Sequence, residues 1–277
     1  MNQDIKLIVT DLDGTFLDSY KNIPQINIDA VKACKEAGIH VCPCSARNWS
    51  SLKDIAEEAG MDGYIMGCNG VLIMDAKPEE IHYRNKLDPE AVGPLIRIAM
   101  KYGTRISVMA NDHMISMKSM RREFASHRGD IRVRRGPHKM VEVDTLEEFI
   151  EAAKDECNVL FVWMDHDDHL PMYTEMCDVG DFELSAADED HVYVMAKDST
   201  KGNACDIVAK LYGIGPENVM CFGDGKNDIP MLRYASIGVA MENAMEQTKD
   251  SADYIAPSND EGGFGKTVFK LIFGEDR

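Results

Sequence analysis

The stretch Leu7-Ile8-Val9-Thr10-Asp11-Leu12-Asp13-Gly14-Thr15 decides the fold. Its apolar beginning is typical of a buried strand in a parallel sheet. Two carboxylates and a glycine follow, and ligands of open α/β sheets bind beyond the carboxyl ends of such strands. The stretch therefore predicts an active site at Asp11 and Asp13. A strand followed by an Asp-Gly turn, in which aspartate only caps the backbone, is an alternative that this stretch alone leaves open.

The spacing of the two acids adds a second expectation. If residue 12 points into the protein, Asp11 and Asp13 share one side of the chain and lie close together. Two neighbouring carboxylates cost free energy unless a cation or a shared proton relieves their repulsion. We therefore look for further carboxylates and for phosphate ligands in the rest of the chain.

A β-α-β unit follows this first strand. Ala30, Val31 and Cys34 recur at helical spacing, Gly38 stands where a helix would stop, and residues 39–43 have the pattern of a second strand. The connection is expected to be parallel and right-handed. Ser45 would then lie beside Asp11 and Asp13, with a hydroxyl that can donate to an anion. Its alternative role is the N-cap of a helix from Trp49 to Ala59.

The pattern of the chain changes between about residues 83 and 190. Short strands and helices alternate there in an order typical of an antiparallel sheet with helices on one face. We therefore predict an α/β protein with a discontinuous parallel-sheet core, residues 1–82 and 191–277, and an inserted α+β domain, residues 83–190. Asn69-Gly70, before the insert, is a strong hairpin-turn signal.

Two polar clusters lie in the insert. Residues 118–139 hold eight basic residues, among them Arg121, Arg122, Arg134 and Arg135. A solvated hairpin face is the simpler interpretation, and a surface that holds a second anionic group of a substrate is the other. Asp165-His-Asp-Asp-His169 superficially resembles a metal cluster, but its place before Pro171 favours turn formation and helix capping.

The core pattern returns with Lys201-Gly202, which opens a helix. A lysine in a first turn opposes the helix dipole, so a bound phosphate would stabilise it, although simple solvent exposure also accounts for one lysine. The apolar residues 219–222 then lead into Gly223-Asp-Gly-Lys-Asn-Asp228. Asp224 and Asp228 would repel a pyrophosphate, which disfavours a dinucleotide loop. Asp11 and Asp224, from adjacent strand ends, supply the oxygen ligands that Mg²⁺ prefers.

Composition limits the classes of partner. The chain has 277 residues and a formal net charge of −18, which disfavours general binding to nucleic acid or to an anionic membrane. No apolar run approaches the length of a membrane span, which is about 20 residues. The eight cysteines form no Cys-x-x-Cys pair and are expected to be buried thiols in a reducing cytoplasm.

Four separated pieces together resemble the haloacid dehalogenase (HAD) superfamily, and the insert resembles the cap of its Cof-type, class IIB sugar-phosphatase branch. They are Asp11-Leu-Asp-Gly-Thr15, Ser45-Ala-Arg47, Lys201-Gly202 and Gly223-Asp-Gly-Lys-Asn-Asp228. The resemblance implies a Rossmann-like core and a cap that determines substrate specificity.

By this resemblance, Asp11 is the nucleophile that forms an aspartyl-phosphate, and Asp13 is the general acid and base. Mg²⁺ would be held by the Asp11 carboxylate, the main-chain carbonyl of Asp13 and Asp224, with Asp228 and Asn227 orienting the shell.

The phosphoryl oxygens would bind to Ser45, Ala46, Lys201 and Asn227. The family usually has Thr-Gly-Arg where this chain has Ser45-Ala46-Arg47. Serine keeps the hydroxyl, while Ala46 raises the question of whether the backbone there needs a conformation that only glycine adopts easily.

The sequence thus predicts a magnesium-dependent phosphatase of small phosphorylated metabolites. A phosphomutase that uses the same aspartyl-phosphate is one alternative, and a phospho-aspartate signalling or binding protein is another. The acid at Asp13 opposes the signalling alternative, because a long-lived phospho-aspartate needs no acid/base group beside it. The sequence leaves the choice between monomer and dimer open.

Overall fold

The computed structural model describes residues 4–75, 79–120, 139–163, 170–185 and 191–276. The strands in these ranges are β1 Leu7–Thr10, β2 His40–Pro43, β3 Tyr64–Gly67, β4 Leu72–Asp75, β5 Ile81–Arg84, β6 Arg105–Met109, β7 Met114–Met117, β8 Met140–Val143, β9 Val159–Trp163, β10 Phe182–Ser185, β11 His191–Ala196, β12 Val219–Gly223, β13 Ile237–Met241 and β14 Tyr254–Ala256. The helices are α1 Gln25–Glu36, α2 Trp49–Ala59, α3 Pro89–Lys101, α4 Leu146–Ala153, α5 Leu170–Cys177, α6 Lys201–Tyr212, α7 Ile229–Tyr234, α8 Glu246–Lys249 and α9 Gly263–Val268.

Five strands form a parallel sheet in the order β14-β13-β12-β1-β2. Strand β1 lies between β12 and β2, and its last residue, Thr10, pairs with Phe222 on one side and with Pro43 on the other. The carboxyl ends of these three strands therefore meet at one edge of the sheet. The residues that follow them, Asp11, Ser45 and Asp224, leave the sheet at that same edge.

The first strand is fully buried, as its sequence predicts. Leu7, Ile8 and Val9 have no exposed surface. Helix α1 packs against α9, and α6 packs against α7. Burial of the strand on both faces explains why its sequence is a continuous apolar run rather than an alternating one.

A hairpin of β3 and β4, extended by β5, adjoins the parallel sheet through a bridge between Cys44 and Met66. The predicted Asn-Gly turn is confirmed at its tip. Three consecutive residues there are left-handed, Cys68, Asn69 and Gly70, with φ of 55°, 57° and 92°. A Cβ at Gly70 would lie 2.7 Å from the carbonyl oxygen of Thr200, so glycine lets this turn approach the start of α6.

The inserted segment forms a second, mainly antiparallel sheet in the order β10-β11-β9-β6-β7-β8. Helices α3, α4 and α5 pack together with one face of this sheet around their own apolar core, which includes Leu95, Phe149 and Val162. The fold class is therefore as predicted, a parallel α/β core with an α+β cap. A smaller apolar group, which we call the interface cluster, contains residues of both parts: Cys68, Val71, Met109, Met114, Val159, Tyr193 and Met195, with Ala46 and Phe161 against them.

The pairing of strands β5 and β11 supports domain boundaries other than the predicted ones. The boundary at residue 82/83 falls inside β5, which pairs with β4 of the hairpin. The boundary at 190/191 assigns β11 to the core, whereas β11 pairs with β9 and β10 of the second sheet. We propose that the chain crosses between the two parts after Arg84 and after Ala196. Local sequence does not specify which sheet a strand joins, because that depends on distant partners.

Several sequence predictions fall on residues outside the described ranges. They are most of the basic segment, including Arg121, Arg122, Arg134 and Arg135, and the Asp165–His169 cluster. None of the helices in the described ranges combines the length and the apolar character that a membrane crossing needs.

Candidate active site

Asp11 is the buried carboxylate at the end of β1. Its backbone N–H donates to the carbonyl oxygen of Phe222 at 2.9 Å, which continues the parallel ladder by one residue. Its Oδ1 accepts a hydrogen bond of 2.8 Å from the Lys201 ammonium. Burial raises the pKa of Asp11 to about 6, and Lys201 offsets part of this effect.

Lys201 is the first residue of α6 and is only 1 % exposed. Its ammonium lies 2.8 Å from Asp11 Oδ1 and 2.5 Å from Asp228 Oδ1. Burial opposes the charged form, but the two carboxylates raise the pKa of Lys201 well above its ordinary value. Simple solvent exposure is therefore the wrong interpretation of this lysine. The two carboxylates supply the negative charge that a lysine at a helix N-terminus requires.

The loop after β12 is held together by Asp228. Its Oδ2 accepts the backbone N–H groups of Asp224 and Gly225 at 2.9 and 2.8 Å, while its Oδ1 binds Lys201. Asp224 Oδ1 accepts a hydrogen bond of 2.7 Å from the Thr15 hydroxyl. Asp228 thus fixes both the loop and the lysine. The Lys201-Gly202 motif and the motif at residues 223–228 meet at this side chain.

Three carboxylates converge here with one ammonium. Asp11, Asp224 and Asp228 offer oxygen atoms that all lie within 4.8 Å of one another. With Lys201 protonated, the group carries a net charge of −2 when all three acids are ionised. Burial, and then the charges of Asp11 and Asp228, raise the pKa of Asp224 well above its ordinary value. Hard oxygen ligands with an excess of negative charge fit a small divalent cation such as Mg²⁺.

The Asp13 carboxylate lies outside this cluster and is bound to cations. Arg47 donates to it through two nitrogens, at 2.6 and 2.7 Å, and the Lys21 ammonium lies 2.7 Å away. Burial opposes ionisation of Asp13, but Arg47 and Lys21 hold its pKa well below the usual range. The pKa values of the two acids at the strand end are therefore shifted in opposite directions.

Ser45 and Ala46 follow β2 at the same edge of the sheet. Ser45 is buried, and its Oγ accepts the backbone N–H of Arg47 at 3.4 Å. The N-cap of α2 is Asn48, whose side chain accepts the N–H of Ser51, so Ser45 does not serve as that cap. Ala46 packs against the interface cluster. Ala46 is not among the residues of the described ranges that have a left-handed backbone. Its position therefore does not require the conformation that only glycine adopts easily.

Asn227 is anchored by Asn69, which was predicted for a hairpin turn but not for the site. Its Nδ2 donates to Asn69 Oδ1 at 2.9 Å, and Asn69 is buried in the left-handed turn of the hairpin. The residues predicted for the site thus all come from segments that meet at this edge: Asp11, Asp13, Ser45, Ala46, Lys201, Asp224, Asn227 and Asp228. Four further residues contribute contacts that the sequence did not predict: Thr15, Lys21, Arg47 and Asn69. Thr15 and Arg47 lie inside the quoted motifs, whereas no local pattern marks Lys21 or the pairing of Asn69 with Asn227.

The strand ends of the parallel α/β core bring together a buried aspartate, a lysine and a second acidic loop, and an α+β cap is inserted into the chain. This is the architecture of a HAD-type hydrolase. The chain belongs to the haloacid dehalogenase-like hydrolases, whose family model matches residues 8–268.

Individual relatives agree with this assignment. The chain is 26 % identical to the Bacillus subtilis protein YcsE, a 5-amino-6-(5-phospho-D-ribitylamino)uracil phosphatase, over 96 % of this chain and 95 % of that protein. A haloacid dehalogenase-like hydrolase from Bacteroides thetaiotaomicron has a TM-score of 0.81 at 26 % identity and covers 97 % of this chain and 100 % of that one. The HAD subclass IIB sugar phosphatase BT4131 has a TM-score of 0.79 at 25 % identity, with coverages of 97 % and 99 %. The prediction of an enzyme of the HAD phosphatase type is confirmed.

Proposed function

We propose that this protein is a magnesium-dependent phosphatase that hydrolyses small phosphate monoesters, sugar phosphates or related metabolites, through an aspartyl-phosphate. The observation that carries the proposal is the group of buried Asp11, buried Lys201 and partly buried Asp224, in which a carboxylate at a strand end faces one ammonium and an excess of negative charge. The phosphatases among the relatives, which match over nearly their whole length, support the substrate class.

In the proposed reaction, an Asp11 oxygen attacks phosphorus and the bond to the alcohol oxygen breaks. The leaving alcohol takes a proton from Asp13. Asp13 then accepts a proton from water, which attacks the phosphorus of the aspartyl-phosphate and releases inorganic phosphate and free Asp11. The hydrogen bond from Lys201 to Asp11 Oδ1 orients the nucleophile for the first step.

The Asp11 and Asp224 carboxylates and the main-chain carbonyl of Asp13 would hold Mg²⁺. When bound, Mg²⁺ supplies positive charge that favours ionised Asp11 and offsets the charge of the phosphoryl oxygens. Asp228 already accepts three hydrogen bonds from protein donors. We therefore assign Asp228 the role of positioning Lys201 and the Asp224 loop, although its oxygens lie within the same group.

The phosphoryl oxygens would be bound by the Ser45 hydroxyl, the backbone at Ala46, the Lys201 ammonium and the Asn227 amide. Neighbouring side chains hold two of these groups in place. Lys201 is fixed by two carboxylates, and Asn227 is fixed by a hydrogen bond to Asn69. Fixed donors need little rearrangement when negative charge develops during phosphoryl transfer.

The test is phosphate release from a panel of phosphorylated metabolites and para-nitrophenyl phosphate, with and without Mg²⁺. The variants are Asp11→Asn and, as a matched control, Asp250→Asn, which makes the same change at an exposed residue. We expect Mg²⁺-dependent release by the wild type and the control, and a loss of at least about 10³-fold in Asp11→Asn. Mass spectrometry of acid-quenched wild type should find the phosphoryl group on the peptide that contains Asp11.

Two results would contradict the proposal. Activity that needs a bisphosphate activator and releases no phosphate would indicate a phosphomutase. A phosphorylated Asp11 that persists for minutes, without turnover of any ester, would indicate a signalling or binding role.

A further inference from the structure

A cavity of about 210 Å³ lies beside the proposed phosphate site. Lys201, Asn227 and Asn69 line it from the core, and Glu183 and Ser185 line it from strand β10 of the cap sheet. Its volume is below the range of about 300–1,000 Å³ that is typical of pockets for drug-sized ligands, so it suits a small group. Its position next to Lys201 makes it a place for the alcohol part of a phosphate ester.

The alternation of strand β10 explains why Glu183 faces the core. Phe182 and Leu184 pack into the apolar core of the cap, and successive side chains of a strand point to opposite faces. Glu183 and Ser185 therefore lie on the other face. Glu183 pairs with Met195 of the interface cluster, which independently places this face of the sheet toward the core.

Charged side chains of both signs line the cavity. The Lys201 ammonium is bound to Asp11 and Asp228. Lys226 also lines the cavity, and within the described part of the chain neither Lys226 nor Glu183 has an ion-pair or hydrogen-bond partner for its side chain. The cavity thus combines one available carboxylate with one available ammonium. Its other polar groups include the hydroxyls of Ser199 and Thr200.

A buried amide adds a donor without a partner. Asn69 Nδ2 is buried and has no hydrogen-bond partner among the described residues, while Oδ1 of the same side chain binds Asn227. Buried polar groups are rarely left without a partner, so an orphan donor in a residue that lines a cavity points to a ligand oxygen.

We propose that Glu183 determines specificity, by accepting hydrogen bonds from the hydroxyl groups of a singly phosphorylated substrate and by repelling a second phosphate group. The inference rests on the proposed phosphatase function and names its substrate class, small hydroxyl-bearing monophosphates. The charges of Asp198 and Asp181 act on Glu183 with the same sign, so this side of the cavity disfavours another anion. With the Glu183 charge removed, Lys226 on the lining would favour the second phosphate of a bisphosphate more than it does in the wild type.

The test compares kcat/KM for fructose 6-phosphate and fructose 1,6-bisphosphate, in the presence of Mg²⁺, in the wild type, Glu183→Gln and Glu147→Gln. Glu183→Gln keeps the shape of the side chain and removes its charge. Glu147→Gln makes the same change on cap helix α4, where Glu147 is exposed and pairs with Arg97. We expect Glu183→Gln to raise the ratio of bisphosphate to monophosphate activity by about tenfold, as removal of one nearby like charge predicts. The control should keep the wild-type ratio, and thermal unfolding should show that both variants fold.

The two possible failures are distinguishable. A wild type that hydrolyses neither ester nor any member of the metabolite panel would refute the proposed function, and this inference with it. A wild type that hydrolyses these esters, together with a ratio that changes less than about twofold in Glu183→Gln, would overturn the role of Glu183 alone.

Discussion

Replacement of Lys201 by methionine is the sharpest test of the buried charge cluster. Methionine has nearly the same length and shape as the lysine side chain but carries no charge. In the structure, the Lys201 ammonium is the cation bound to both Asp11 and Asp228, at 2.8 and 2.5 Å. Lys201→Met would leave two carboxylates buried without this partner.

The expected loss of stability follows from that geometry. Removing one partner of a buried ion pair costs about 3–5 kcal/mol, because the remaining charge stays in a poorly solvated place. Asp11 can relieve part of this cost by binding a proton, since its pKa is already raised to about 6. Asp228 is fully buried and receives two backbone N–H groups, so it is held in place. We therefore expect about 3 kcal/mol in the absence of metal.

The assay is urea unfolding at pH 7 in EDTA, followed by circular dichroism. With a slope of about 2–3 kcal/mol per M of urea, the expected loss moves the unfolding midpoint down by about 1–1.5 M. Lys210→Met is the matched control, since Lys210 lies on the same helix but is 73 % exposed and pairs with Asp206 at i,i+4. Such a surface pair contributes about 0.3–0.5 kcal/mol.

Equal midpoints for the two variants would refute the reasoning, because the burial of Lys201 would then carry no energetic consequence. A large shift in Lys201→Met with full phosphatase activity would refute a different step, namely the role of this ammonium at the phosphoryl group.

Three further predictions follow from individual contacts. A Cβ at Gly14, which has φ of +85°, would lie 2.8 Å from Asp224 Cγ, whereas one at Gly38, with φ of +76°, would meet nothing within 4 Å. Gly14→Ala should therefore reduce the extent to which Mg²⁺ stabilises the protein against thermal unfolding. Gly38→Ala should leave this stabilisation intact. Cys177 is the exposed cysteine among eight, and burial raises the pKa of four of the other thiols, those of Cys34, Cys42, Cys68 and Cys157. Ellman's reagent should therefore modify about one thiol rapidly in the native protein, and none in Cys177→Ser. Because Arg47 and Lys21 lower the pKa of Asp13, the stabilisation by Arg47 is present above the ordinary carboxyl pKa of about 4 and is lost as the pH falls below it. The difference in unfolding free energy between wild type and Arg47→Met should thus be constant from pH 5 to 8 and shrink in acid. A difference that grows in acid would contradict this sign.

The sequence predicts those parts of the site that are encoded locally. A continuous apolar run followed by Asp11, and another followed by Asp224, predict two strand ends, and the β-α-β unit predicts that Ser45 lies beside the first of them. Lys201 is predicted because a lysine in a first turn needs an anion. These signals lie within a few residues of the groups they predict, and the structure brings their segments together at one edge of the sheet.

Contacts between distant segments could not be predicted in this way. The hydrogen bond from Asn227 to Asn69 joins residues 158 positions apart, and no periodicity of either segment encodes it. Strand β11 was assigned to the core for a similar reason. Its sequence has the pattern of a buried strand, and only its pairing with β9 and β10 shows to which sheet it belongs.

The opposite pKa shifts of Asp11 and Asp13 bear on the roles proposed for the two acids. Phosphoryl transfer to Asp11 needs that carboxylate ionised, yet burial raises its pKa; donation by Asp13 needs a proton, yet Arg47 and Lys21 keep it ionised. Asp11, with a pKa of about 6, is still mainly ionised at pH 7, whereas Asp13 lacks the proton that its proposed first step uses. The two cations beside Asp13 offer a route to reversal, because a phosphate ester that draws Arg47 or Lys21 toward its own oxygens would leave the buried Asp13 with a higher pKa. The substrate would then itself prepare the acid, and Asp13 would hold a proton only when a leaving group is present to receive it.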